Sequence, residues 1–162
     1  MSDFRLPLDG QLPKLMRYAT ALTRDVEEAT DLVEDTIREA LARDPEQRRE
    51  TELRVWLLTI LHEQRDNPFR LANPAAGPRK PVADPAASAT LSRFDRALGR
   101  LPEEQRAVIL LIGLEGMSYD NAAAILGISA GATRSRLVRG RESLARSMAS
   151  APIRRGQSRA AA

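Results

Sequence analysis

The sequence predicts an all-α protein made of two small helical domains joined by a proline-rich linker, and three observations predict it. Apolar residues recur at three- and four-residue intervals in successive stretches of the 162-residue chain. Prolines at 68, 74, 78, 81 and 85 fall in one short span with Ala, Gly77, Arg79 and Lys80, a composition that makes an extended connection rather than a packed element. Charge also changes sign along the chain. Residues 1–60 hold nine basic and thirteen acidic side chains, whereas residues 129–162 hold eight arginines against one acid, Glu142. The overall charge of +3 conceals these poles, which suit two different partners. The expected layout is a first domain over 10–67, a linker over 68–89, a second domain over 90–149 and a disordered basic tail over 150–162.

The first helix is predicted over 12–23, where Leu12, Leu15, Met16, Ala19 and Leu22 share a face and Pro13 sits in the tolerant first turn. Asp25 is placed to cap the next helix, over 27–43. There Ala29, Leu32, Val33, Thr36, Ile37, Ala40 and Leu41 form the inner stripe. Its outer face carries Glu27, Asp31, Glu34, Asp35 and Arg38. Four acids so close repel one another within a helix, and a basic partner would relieve them. A polar connection over 44–51 leads to a third helix, 52–65, with Leu53, Trp56, Leu57, Ile60 and Leu61 inward. Trp56, the one tryptophan, is expected to anchor this three-helix core. Asn67-Pro68 ends the helix, because a residue before proline is pushed out of the helical region.

In the second domain Phe94, Ala97, Leu98 and Leu101 give one helical face. Pro102, Glu103 and Glu104 open another helix, the acids favouring its positive end. Val108, Leu111, Ile112 and Glu115 continue it, and Gly116 stops it.

Residues 118–144 then read as two short helices joined by a tight turn. Ser118 is placed to cap the first, and Ala122, Ala123, Ile125 and Leu126 give it a small apolar inner side. Gly127 suits the left-handed residue that ends a helix. Ile128 plugs the turn, and Ser129 caps the second helix. Thr133, Leu137, Gly140 and Leu144 share one face of that helix, while Arg134, Arg136, Arg139 and Arg141 crowd the rest. A short helix, a glycine turn and an arginine-rich helix make the helix-turn-helix that lays its second helix in the DNA major groove.

Other chemistry finds little support. With 4% aromatic residues, the 43% hydrophobic fraction must build its core from Leu, Ile, Val and Ala. There is no cysteine, so there is no disulfide framework, cysteine zinc site or thiol nucleophile. His62 is the one histidine, expected as a polar helix residue, and no spacing suggests a metal site or a catalytic triad. No phosphate-binding glycine loop occurs. We therefore expect no enzyme activity and no cofactor. No apolar run approaches the roughly 20 residues that cross a bilayer, and MSDFRLPLDG lacks signal-peptide character. A cytoplasmic protein without membrane association is the expectation.

On these residues the chain resembles the extracytoplasmic-function (ECF) sigma factors of the sigma-70 family, over roughly residues 12–148. RYATALTRDVEEATDLVEDTIREALAR is similar to the family's core-binding region 2, and LRVWLLTILHEQ to the helix that leads into promoter −10 reading. LPEEQRAVILLIGLEGMSYDNAAAILGISAGATRSRLVRGRESL is similar to region 4, which reads the −35 element. The TILH segment and region 4 look closest to the alphaproteobacterial general-stress group. The resemblance implies that Asp31, Glu34, Asp35 and Arg38 dock on the β′ clamp helices of core RNA polymerase. It implies contacts of the second domain with the β flap. It also implies that Ser129, Thr133, Arg134, Ser135, Arg136, Arg139 and Arg141 face promoter DNA. An anti-sigma factor is a further implied partner, and the free protein is expected to be monomeric.

Some residues depart from the family pattern. His62-Glu63-Gln64-Arg65-Asp66-Asn67-Pro68 breaks the −10 helix early and adds acids. Ala132 and Thr133 stand where Thr and Val are usual, Arg134 where lysine is usual, and Asn121 in place of the glutamate that completes a capping box with Ser118. Two other readings therefore stand beside a sigma factor. One is a stand-alone helix-turn-helix regulator whose first domain dimerises. The other is a sigma-like decoy or adaptor that binds an anti-sigma factor without initiating transcription.

Overall fold

The computed structural model describes residues 5–43, 50–68 and 89–150, so the expected linker and tail lie almost wholly outside the described residues. Within them are seven α-helices: α1 (Arg5–Thr23), α2 (Val26–Ala42), α3 (Glu50–Arg65), α4 (Ala89–Gly99), α5 (Glu103–Ile109), α6 (Tyr119–Leu126) and α7 (Ala130–Ala149). A π turn, Leu110–Leu114, prolongs α5.

The helix α1 begins seven residues before its predicted start, and Pro13 lies inside it rather than in its first turn. A proline there removes a backbone hydrogen bond and costs about 3 kcal/mol. The apolar face offsets this. Leu8 joins Leu15, Tyr18, Ala19 and Leu22 in the core, and burying a leucine contributes about 1.5–3 kcal/mol. Arg24 ends α1 in the left-handed region (φ 66°), and its N–H reaches back to the Thr20 carbonyl. Asp25 then caps α2, its carboxylate accepting the Glu28 N–H at 2.9 Å.

Ala29, Leu32, Val33, Thr36 and Ala40 of α2 are buried as the periodicity predicts, but Leu41 is 55% exposed. It lies at the last turn, where the inner stripe has drifted off the bundle. The helix α3 is covered on two sides, by α1 and α2 and by α6 of the second domain. Leu53, Leu57, Leu58, Ile60 and Leu61 are all fully buried as a result. Trp56 is only half-buried at the edge of this core, so leucines and Tyr18 anchor the bundle instead.

In the second domain Ala97, Leu98 and Leu101 pack inward, whereas Phe94 is 38% exposed. α7 packs on α4, α5 and α6. Gly140 makes the α5–α7 crossing close: a Cβ there would come 2.8 Å from Ile109 Cδ1. In the π turn the Glu115 N–H reaches the Leu110 carbonyl at 2.9 Å, five residues back. This wider turn sets the direction of the next side chain, and Glu115 is buried rather than on a solvated face. The domains share one continuous apolar core, with α1 against α5 and its π turn and α3 against α6.

Candidate nucleic-acid and protein interfaces

The helix-turn-helix forms by the local chemistry expected of it. Ser118 accepts the Asn121 N–H and Ser129 accepts the Ala132 N–H, each at 3.1 Å, so both helices are side-chain capped. Gly127 adopts φ 63° between them and hands its N–H back to α6. Thr133, Leu137 and Gly140 fix the inner face of α7.

The predicted DNA-facing residues separate into two groups. Arg134, Arg139 and Arg141 are exposed. Arg134 lies over the Tyr119 ring, 5.6 Å from its centroid, a cation–π contact that orients it beside the N-terminus of α6. Arg139 donates to Ser135 Oγ one turn back, holding both on one stripe. The other three have their side-chain polar groups engaged within the fold. Thr133 is fully buried and donates to the Ser129 carbonyl, so its side chain cannot reach a groove. Ser129 is occupied as the cap. Arg136 leans back on Glu104 of α5 at 3.2 Å, its side chain 28% exposed. Sequence reasoning passed over Val138, 54% exposed among the arginines of α7. An apolar group on an otherwise charged helix was the available signal.

A second surface lies on α2. Asp31, Glu34 and Arg38 are exposed and Asp35 is partly so, all pointing away from α1 and α3. Asp35 pairs with Arg38, so Asp31 and Glu34 carry most of the uncompensated negative charge.

Between the domains is a cleft of about 490 Å³ whose arginines include Arg24, Arg65 and Arg106. Arg24 is bound to Asp95 by two hydrogen bonds, which holds the Asp95 carboxyl below its usual range. Arg65 joins Glu28 of α2 and Glu103 of α5. Arg106, buried, donates to the Leu22 carbonyl of α1 and to the Leu98 and Leu101 carbonyls. These arginines are taken up by structure, and none is a spare cation awaiting a ligand.

His62, expected as a polar helix residue, lies inside the first domain rather than on its surface. It is buried, with Nε2 2.7 Å from the Tyr18 hydroxyl, and burial lowers its pKa to about 4. None of the described helices is long and apolar enough to cross a membrane.

Comparison with known proteins places the chain in a family. Residues 91–144 match the family model "Sigma-70, region 4", and residues 8–62 match "Sigma2 domain of PhyR". The chain is 33% identical over 147 residues to ECF RNA polymerase sigma factor EcfG of Rhodopseudomonas palustris, covering 82% of this chain and 78% of that one. It is 32% identical over 140 residues to ECF RNA polymerase sigma factor SigM of Mycobacterium tuberculosis, covering 82% and 70%. Among solved structures, the sigma factor RpoE of Bartonella quintana, in complex with the anti-sigma factor NepR, superposes with a TM-score of 0.77 at 32% identity. That match covers 94% of this chain and all of that one. The region 4 match over the helix-turn-helix and the near full-length likeness to EcfG together show that the chain belongs to the ECF family of RNA polymerase sigma factors.

Proposed function

We propose that the chain directs promoter-specific initiation with a division of labour between its two domains. The first domain docks on the β′ clamp helices of core RNA polymerase through Asp31, Glu34, Asp35 and Arg38. The second rests on the β flap and lays α7 in the major groove of the −35 element. There Arg134, Ser135, Arg139 and Arg141 make the phosphate and base contacts. Val138 adds an apolar surface suited to a thymine methyl. Ser129, Thr133 and Arg136 hold the helix in place. The helix α3 lies on the −10 side, where its early end at Arg65 and the acids Glu63 and Asp66 weaken attraction for a DNA strand. An anti-sigma factor regulates the protein, as the solved complexes of its relatives with NepR and CnrY suggest. The observation that carries this reading is the separation of two outward surfaces of opposite charge, the α2 stripe and the α7 arginines, on different domains.

A second reading has its own support. The first domain matches the sigma2 domain of PhyR, and a PhyR from Bartonella quintana is described as an anti-anti-sigma factor in complex with NepR. In this reading the chain sequesters an anti-sigma factor and does not initiate. Footprinting of core polymerase reconstituted with the chain separates the two. Protection centred near −35 together with strand opening supports the sigma factor. Tight binding to an anti-sigma factor with no promoter footprint supports the decoy.

A further inference from the structure

Arg96 and Arg100 are the cations that the interdomain cleft leaves over. Both line it near the C-terminal end of α4, about one helical turn apart, and both are exposed. Neither has a hydrogen bond or an ion pair to another described residue. The carboxylates nearby are already engaged. Asp95 is held by Arg24, and Glu28 and Glu103 by Arg65. Arg106 is spread over the carbonyls of Leu22, Leu98, Gly99 and Leu101. Like charges one turn apart repel. The negative pole at the end of α4 supplies roughly half an elementary charge, which offsets only part of two cations.

The cleft also has the size and the lining of an anion site. Its volume is about 490 Å³, within the range that holds small ligands. The described side chains that line it are all polar or charged, and five of them are arginines. Nothing there stacks a base or buries a hydrocarbon. What it offers is guanidinium N–H groups, whose planar fork matches phosphate oxygens two at a time. Arg24 keeps donors in hand, because Asp95 takes two of its five N–H groups. Gly99 makes room for that guanidinium: a Cβ there would stand 3.2 Å from Arg24 Nε and 3.3 Å from Nη2. A recess with low-dielectric walls concentrates the field of like charges that line it. None of the lining residues belongs to α7, so the cleft is separate from the surface proposed for DNA.

We propose that this cleft binds a short phosphate chain, a di- or triphosphate, which Arg96 and Arg100 grip by its oxygens while Asp95 holds Arg24 in place beside them. The site reads phosphate and not a base. It therefore takes the chain either free or as the tail of a nucleotide.

Isothermal titration of the full chain with sodium tripolyphosphate, at about 0.15 M salt, tests this without polymerase or promoter. One saturable site per chain is expected. Arg96→Gln with Arg100→Gln should weaken it by roughly tenfold or more. The same charge removed from α7, by Arg139→Gln with Arg141→Gln, should leave it almost unchanged. Arg96→Lys with Arg100→Lys keeps the charge but loses the fork, and should fall between wild type and the glutamine pair. If the glutamine pair melts early, the lysine pair decides alone. ATP and GTP should bind about as tightly as tripolyphosphate. Nucleotides that bind where tripolyphosphate does not would overturn a site that reads only phosphate. Equal weakening by the α4 and α7 pairs would mean attraction to net charge and no site. No saturable binding by the wild type, or undiminished binding by the α4 glutamine pair, also overturns the proposal, even if that pair binds DNA less well.

Discussion

The Tyr18 hydroxyl and His62 Nε2 share a 2.7 Å hydrogen bond in the core of the first domain. Burial keeps the phenol protonated and the imidazole neutral, and the imidazole tautomer sets which of the two donates. Below pH 6.5 the unfolded chain takes up a proton at His62 that the folded chain refuses until about pH 4. Stability is therefore fully present above pH 6.5 and falls as pH drops toward 4, by about 3 kcal/mol in all. Denaturant unfolding at several pH values should show this loss in the wild type and a shallower one in His62→Gln. Equal slopes would show that His62 protonates freely in the folded protein.

Arg134 and Arg139 stand on the open face of α7, and Arg136 leans on Glu104. Arg134→Ala or Arg139→Ala should weaken −35 binding by about 1–3 kcal/mol if the side chain reads a base. Arg136→Ala should cost less. Electrophoretic mobility shifts at fixed salt measure all three, and a larger loss from Arg136→Ala would reverse the assignment of the two faces.

On α2, Asp31→Lys with Asp35→Lys reverses the charge of an exposed stripe without touching the core. Helical content by circular dichroism should be unchanged, while co-purification with core polymerase is lost. Retained binding would mean that another surface docks.

Ser129→Ala removes the cap of α7 and should lower stability by about 1 kcal/mol. Gly127→Ala forces a Cβ into a left-handed turn and should cost about 1–2 kcal/mol. Thermal melts report both, and a Gly127→Ala melt at or above the wild-type midpoint would contradict the strained geometry.

Features fixed by near neighbours in sequence were legible without a structure. The caps at Asp25, Ser118 and Ser129, the left-handed Gly127 and the inner stripes of α2 and α7 depend on spacing of three or four residues, and apart from Leu41 at the end of α2 they lie where the spacing puts them. Features decided by one domain meeting the other were not legible. Nothing local distinguishes Leu58, buried in an α3 covered on two sides, from an exposed leucine, or Glu115 from an ordinary surface acid. Arg136 illustrates the same limit within the recognition helix. Its place among the arginines marks it as outward, but it leans toward Glu104 of α5. Pro13 inside α1 shows propensity overruled by burial of the face around it.

Run-off transcription on genomic DNA asks whether this chain starts transcription at chosen sites. Core polymerase reconstituted with the full chain should yield discrete start sites with a shared upstream −35 sequence, and these should vanish with Asp31→Lys and Asp35→Lys. Polymerase that binds the chain yet produces no discrete starts would contradict the claim and favour the decoy.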